Sequence, residues 1–268
     1  MKIELHRKNI YTGNLILVNA DYPYNEQVNE TDLVNVDKSA CDVLLERRAV
    51  TLLSKLMEEI NGWGQISAVS GWRSMQEQEN IYAQSLKENG SEFTQKYVAL
   101  PGHSEHQTGL AIDLALTSDN IDFIRPDFPY TGICQTFREL SSQYGFADEG
   151  AAHIFRDKAA RFGFIERYPQ KKESITGIAH EPWHFRYIGV PHAEIMKKND
   201  LCMEEYIPFI KQFAYGEQKY NFTVAQKNFS VSYLPASEAE VVCIEIAEDV
   251  PYTISGNKID GYIITEWR

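Results

Sequence analysis

The sequence predicts an α+β fold, a mainly antiparallel sheet with helices packed on it, followed by a small β-rich appendage. Three observations carry this. Segments with helical apolar spacing are interrupted by short β-type runs at residues 65–70, 110–116 and 183–188. After Gly216 the helical signal stops and only short β-type segments remain. Of 268 residues, 43% are apolar and 24% charged, an ordinary globular profile with enough chain to bury a full core.

Taken in order, residues 13–18 read as a strand and the polar stretch 19–36 as a loop. A long helix is expected over 39–60, where Leu44, Leu45, Val50, Leu52, Leu53 and Leu56 form a broad apolar face and Gly62 lies just past the end. The run 65–70 is a strand. Ser74-Met-Gln-Glu77 has the form of a capping box, opening a helix that should stop near Gly90. Residues 110–116 follow Gly109 and precede the turn-prone Thr117-Ser-Asp-Asn120, which marks a further strand. Helices fit 136–144 and 151–161, a strand 183–188, and helices again 191–198 and 203–213. Short β segments follow at 222–224, 229–234, 241–246 and 261–265. Residues 1–216 are therefore expected as the main domain and 217–268 as a unit too small to be very stable without docking.

The net charge of −12, from 26 basic and 38 acidic residues, argues against nucleic-acid or anionic-membrane binding, both of which need a basic face. No stretch approaches the ~20 apolar residues that span a bilayer, so membrane insertion is not expected. The basic N-terminus has no apolar run of signal-peptide length (~7–15 residues) behind it. Cys41, Cys134, Cys202 and Cys243 are scattered without a Cys-x-x-Cys pair and read as reduced thiols. Together these place the protein in the cytoplasm.

The chemistry concentrates in two stretches, Ser104-Glu-His-Gln-Thr-Gly-Leu-Ala-Ile-Asp113 and Glu181-Pro-Trp-His184. His106, Asp113 and His184 make a two-histidine, one-carboxylate set suited to a catalytic zinc ion, because three protein ligands leave a position for water. Asp113 shares a strand face with Ala111 and Ala115, small neighbours that leave room for a cavity. Gly109 lets the chain turn between His106 and Asp113. His184 opens a strand that could lie ~4.8 Å from the strand of Asp113, close enough to share one ion. Glu181 is placed to act as a base. Arg186 is a competing cation near His184, expected to face away because Trp183, Phe185 and Tyr187 alternate with it. His180 could tune Glu181 or simply be exposed.

Taken with Ser70-Gly-Trp-Arg73-Ser, Val98-Ala-Leu-Pro-Gly102, Glu166-Arg-Tyr-Pro169 and Phe185-Arg-Tyr-Ile-Gly189, these motifs resemble the zinc D,D-peptidases of the VanX and VanY type, and most of all the VanXY proteins. The resemblance covers roughly residues 10–212. It implies one zinc per chain on His106, Asp113 and His184, with Glu181 as catalytic base and Arg73 stabilising the developing oxyanion. It also implies Ser104 and Gln78 as substrate contacts. The implied substrates are small peptides ending in D-Ala-D-Ala, both the free dipeptide and pentapeptide precursors of the cell wall, with vancomycin resistance as the setting. A strict D,D-carboxypeptidase, or a cell-wall L,D-peptidase of the same family, is the alternative, and a zinc-containing binding module is a third. The segment 148–161 is a candidate lid separating dipeptidase from carboxypeptidase action. The resemblance is silent on residues 217–268, whose strands could dock on the core or mediate a homodimer.

Overall fold

The computed structural model describes residues 1–37, 43–117, 121–128 and 150–268. Its strands are β1 (Lys2–His6), β2 (Leu33–Asn35), β3 (Leu44–Glu46), β4 (Ile66–Ser70), β5 (Ala111–Leu116), β6 (Phe164–Tyr168), β7 (Glu181–Tyr187), β8 (Tyr220–Val224), β9 (Lys227–Pro235), β10 (Val241–Glu245), β11 (Tyr252–Gly256) and β12 (Gly261–Trp267). Its helices are α1 (Arg47–Glu59), α2 (Met75–Tyr97), α3 (Ala151–Ala159), α4 (Glu173–Thr176), α5 (His192–Asn199) and α6 (Met203–Ile210).

Alternation along two neighbouring strands sets the architecture. β4, β5, β7 and β6 form an antiparallel sheet in that order. Ile112 and Leu114 of β5 and Trp183 and Phe185 of β7 point to one face. There they meet Ala49, Leu53, Leu56 and Met57 of α1 and Ala152, Phe155 and Ala159 of α3. Phe155 and Phe185 pack edge to face with ring centroids 4.8 Å apart. A period of two then sends Asp113, His184 and Arg186 to the opposite face. The expected fold class is the one observed.

Several expected elements differ. The helix of 39–60 begins only at Arg47, because the Glu46 carboxylate accepts from the N–H groups of Arg48 and Ala49 and caps it. Before the cap, Leu44–Glu46 pair with Leu33–Asn35, inside the stretch read as a loop, and the Leu44 carbonyl accepts from Trp72 N–H. The second helix is capped by Ser74 as expected, but it does not end at Gly90. That residue turns to φ 80°, ψ 172°, and the chain resumes a helical course to Tyr97, with Ser85 and Thr94 hydroxyls 2.8 Å apart across the kink. Residues 13–18 are not a strand, although Leu15, Ile16, Leu17 and Val18 are buried. Their backbone is satisfied elsewhere: Leu15 N–H donates to Ser255 Oγ, Leu17 N–H to the Asn257 carbonyl, and the carbonyls of Asn14 and Ile16 accept from Arg186. The expected helix at 136–144 lies outside the described residues. Strands β1, β6 and β11 have no counterpart in the sequence reading.

The second sheet runs β11-β12-β9-β8. Val231, Tyr233 and Ile263 on one side pack against α5 and α6 together with Leu15 and Leu17. On the other side Tyr262 and Ile264 meet Leu5, Ile10 and Ile244, and β1 pairs antiparallel with β10. Residues 2–17 are thus bonded to strands that follow residue 216. Among the described residues no helix is long and apolar enough to cross a membrane.

His192, 3% exposed, links α5 to α6 and β12: Nδ1 lies 2.6 Å from Tyr206 Oη on α6 and Nε2 3.0 Å from Thr265 Oγ1 on β12. Burial lowers its pKa to about 3. The folded protein therefore keeps this imidazole neutral, while the unfolded chain takes up a proton below pH ~6.5. Stability from His192 is complete above that pH and is lost as pH falls toward 3, at about 1.4 kcal/mol per unit for one proton. Urea unfolding of wild type and His192→Gln from pH 7 to 4 should differ in slope by about one proton. Parallel curves would show that His192 does not carry this dependence.

Candidate metal centre and active site

Three elements bring the site together. Asp113 on β5 stands directly opposite His184 on β7, and Ser70 on β4 is its partner on the other side. His106 lies in a 3-10 turn, Glu105–Thr108, closed by Gly109 at φ 71°, where its N–H donates to the His106 carbonyl. That left-handed residue reverses the chain so that His106 faces the strand it precedes. Gly71 is required for a different reason. A Cβ there would sit 2.2 Å from the Leu44 carbonyl oxygen, and its own carbonyl lies 2.6 Å from His106 Nδ1.

Acceptance by Gly71 commits His106 Nδ1 to carry the proton and turns the Nε2 lone pair to Asp113, 3.1 Å from Oδ2. His184 uses the other nitrogen, with Nδ1 3.0 Å from Asp113 Oδ1. One ligand atom from each of the three residues lies within 4.8 Å of the others, and all three residues are buried. Asp113 Oδ1 is buried without a hydrogen-bond partner. Two imidazole nitrogens and an orphaned carboxylate oxygen converging on one point fit a divalent cation with nitrogen and oxygen preference, such as zinc.

The electrostatics agree with that donor set. Burial, together with the charge of Arg73, lowers His106 to about 4, so it is neutral and able to ligate. Burial opposes a charge on His184, but the nearby carboxylates of Asp113, Glu105 and Glu181 outweigh it and raise the group to about 9. Positive charge is therefore favoured at His184 in the absence of a metal. Burial, reinforced by Asp113 and only partly offset by His184, raises Glu181 to about 8. Glu181 Oε2 lies 3.7 Å from His184 Nδ1.

The cleft has a cavity volume of about 50 Å³ and is lined by Arg73, Ser104, His106, Asp113, Glu181 and His184, with apolar walls from Val98, Phe123, Ile124, Tyr168, Ile178 and Trp183. Six of the seven site residues expected from sequence thus meet in one place. Gln78 does not line the cleft. It is buried behind Arg73, accepting from Nη1 at 3.4 Å and donating to the Ala99 carbonyl at 2.8 Å. Arg73 also donates from Nε to Ser70 Oγ and from Nη2 to Asp113 Oδ2, both at 2.8 Å.

Arg186 shares the face of His184, as residues two apart on a strand must, so the expectation that it points away is incorrect. It nevertheless misses the cleft, because its guanidinium is drawn to Glu105 at 3.1 Å and to the carbonyls of Asn14 and Ile16. His180 is held by Glu166 at 3.0 Å. The lid expectation also changes for residues 150–161, the described part of 148–161. Ala152, Phe155 and Ala159 of α3 sit in the core, and no residue of that stretch lines the cleft.

Three residues near the centre carry no role in the sequence reading. Glu105 lies beneath His184, bound by Arg167 at 2.9 Å, and Tyr168 packs on the His184 ring with centroids 5.0 Å apart. All three stand inside quoted motifs, Ser-Glu-His and Glu-Arg-Tyr-Pro. For Arg167 the hidden cause is the register shift between Glu166 and Tyr168, where it stands as a fully buried side chain.

An antiparallel sheet that presents two histidines and an aspartate beside a buried carboxylate, within an open cleft, defines a metallohydrolase. The family described as VanY, D-alanyl-D-alanine carboxypeptidase, matches residues 42–190, and this chain belongs to it. It is 37% identical over 200 residues to the bifunctional D-Ala-D-Ala dipeptidase and D-Ala-D-Ala carboxypeptidase VanXYC of Enterococcus gallinarum, an alignment covering 75% of this chain and 96% of that protein. A solved structure of the vancomycin resistance D,D-dipeptidase VanXYg, in complex with a D-Ala-D-Ala phosphinate analogue, superimposes with a TM-score of 0.90 at 45% identity. That match covers 100% of this chain and 99% of the other. A variant of the vancomycin resistance D,D-pentapeptidase VanY from a VanB-type cassette, in complex with Zn(II), matches at TM-score 0.52 and 27% identity, over 72% of this chain and 98% of the other.

Proposed function

We propose that the protein is a zinc peptidase that hydrolyses D-Ala-D-Ala and removes the terminal D-Ala from cell-wall pentapeptide precursors, contributing to vancomycin resistance. The observation that carries this reading is the convergence of His106 Nε2, Asp113 Oδ1 and His184 Nδ1 beside Glu181, in a chain alignable along its whole length with a D,D-dipeptidase. One zinc per chain would be held by those three atoms. When bound, zinc supplies Lewis acidity to water and to the scissile carbonyl.

The remaining chemistry belongs to the chain. Glu181, whose proton affinity burial raises, would take the proton of the attacking water as its carboxylate and pass it on to the leaving amine. Arg73 presents fixed planar donors, with Nη2 on Asp113 and, among the described residues, Nη1 on the long contact to Gln78. Nη1 is the donor available to a carbonyl oxygen that gains negative charge. Ser104 and neighbouring N–H groups would receive the substrate carboxylate, and the apolar walls would exclude water. Arg73→Lys removes the planar donor set, and kcat should fall by about 10²–10³. A loss confined to KM would assign Arg73 to ground-state binding instead.

The proposed compartment is the cytoplasm, where both the dipeptide and unfinished precursors are accessible. Residues 217–268 are proposed as a β-rich unit docked on the 1–216 catalytic domain through α5 and α6.

The test is D-Ala release from D-Ala-D-Ala and from a muramyl pentapeptide ending in D-Ala-D-Ala, using zinc-loaded protein. Release from both supports dual activity, and release from the pentapeptide alone makes the protein a strict carboxypeptidase. No D-Ala from either substrate, with zinc bound, overturns the assignment.

A further inference from the structure

We propose that Glu105 is a positioning residue that fixes the ring orientation and tautomer of His184, so that Nδ1 is the nitrogen offered to the metal. The inference rests on the reading of His184 as a metal ligand and extends it to a residue outside the ligand set.

Glu105 is 1% exposed, and its two oxygens have different surroundings. Oε1 is held by Arg167 Nε at 2.9 Å and by Arg186 Nη1 at 3.1 Å. Oε2 is buried with no hydrogen-bond partner. The atom facing it, 3.8 Å away, is His184 Nε2, which is likewise buried and unpartnered. Two complementary buried polar groups left unpaired this close together are costly, since each forgoes a hydrogen bond it would make in water. A small rotation of the imidazole closes the gap, and ligation through Nδ1 supplies a reason for that rotation.

The chemistry permits one arrangement. A carboxylate clamped by two guanidinium groups accepts and does not donate, so His184 Nε2 must carry the hydrogen and Nδ1 the lone pair. His106 follows the same logic with the nitrogens exchanged: Gly71 accepts from Nδ1 and frees Nε2. Each histidine is thus oriented through the nitrogen that faces away from the metal, as outer partners of metal ligands do. The support behind Glu105 is itself fixed. Arg167 continues to Glu204 on α6 at 2.7 Å and 3.0 Å, and Arg186 to the backbone of residues 14–16.

The test uses the full chain with 15N-labelled histidine, loaded with zinc, and reads which ring nitrogen of His184 bears the proton, assigned by loss of its signals in His184→Gln. A protonated Nε2 and a metal-bound Nδ1 are expected. Zinc affinity, measured by chelator competition, should fall about 10–100-fold in Glu105→Ala and less in Glu105→Gln, whose amide oxygen can still accept from Nε2–H. Ligation through Nε2 in wild type, or unchanged affinity in a folded Glu105→Ala, overturns the inference while leaving the metal site intact. Failure of wild type to take up stoichiometric zinc overturns the metal reading, and this inference with it. Because the wild-type spectrum decides the tautomer, the proposal stays testable if Glu105→Ala does not fold.

Discussion

Glu181→Ala lowers kcat for D-Ala release by about 10²–10⁴, the usual contribution of a positioned general acid–base group. Zinc stoichiometry stays at one per chain, because the carboxylate stands beside the His106, Asp113 and His184 set and is not among the three converging residues. The reason for so large an effect is environmental. Burial raises the proton affinity of the Glu181 carboxyl above that of a solvated glutamate at its ordinary ~4.3, which suits it to receiving a proton and releasing it within one turnover. Glu181→Gln keeps the volume and should be equally impaired, which separates proton transfer from packing. The measurement is steady-state D-Ala release alongside metal analysis of the same samples. A kcat within threefold of wild type would remove Glu181 from the chemistry, and loss of zinc would move it into the ligand set.

Arg167→Ala lowers the free energy of unfolding by about 3–5 kcal/mol, the cost of breaking a fully buried ion pair and stranding its partners. Arg167 and Glu105 side chains are both 0% exposed, and Glu204 holds the other end of the same guanidinium. Removing the cation leaves two carboxylates in the interior with Arg186 as the remaining counter-charge to Glu105. Arg161 makes a useful contrast, since its ion pair with Glu59 leaves the arginine side chain 57% exposed. Arg161→Ala should change stability by no more than about 0.5 kcal/mol. Denaturant unfolding of both variants at neutral pH checks the pair. A loss below 1 kcal/mol for Arg167→Ala would mean that the buried carboxylates take up protons or water at little cost.

The centre of the site was legible because its residues sit in two short segments with strong local signals. His106 and Asp113 flank a glycine that must turn, and Glu181 and His184 open a β-type run. The fold class followed from the same runs, since strands bounded by turns and helices with apolar faces declare themselves locally. What escaped depends on pairing between distant segments. Leu44 and Leu45 carry apolar side chains that suit a helix, yet the edge formed by Leu33–Asn35 captures residues 44–46 as a strand. Residues 13–18 look like a strand, but the partners that claim their backbone are Arg186, Ser255 and Asn257. Gln78, which the resemblance implied as a substrate contact, lies behind Arg73 and not on the cleft wall, because a motif match does not give the depth of a side chain. Glu105 and Arg167 were invisible as functional residues, since in sequence a charged residue that folding buries looks like a solvated one.

The stitching of residues 14–17 to 255–257 has a temporal meaning. The carbonyls that steady Arg186, and through it Glu105 behind His184, lie on a strap whose own N–H groups wait for Ser255 and Asn257, with 240 residues between Leu15 and Ser255. Contacts of such separation close late, because the loop entropy must be met before they contribute. During synthesis the three converging metal-site residues are all made before residue 190, while the clamp that steadies them is finished only with the last strands. The nascent chain therefore passes through a stage in which the three converging residues exist without their rear support. Full rigidity of the centre arrives with the closing of the two ends of the chain upon each other.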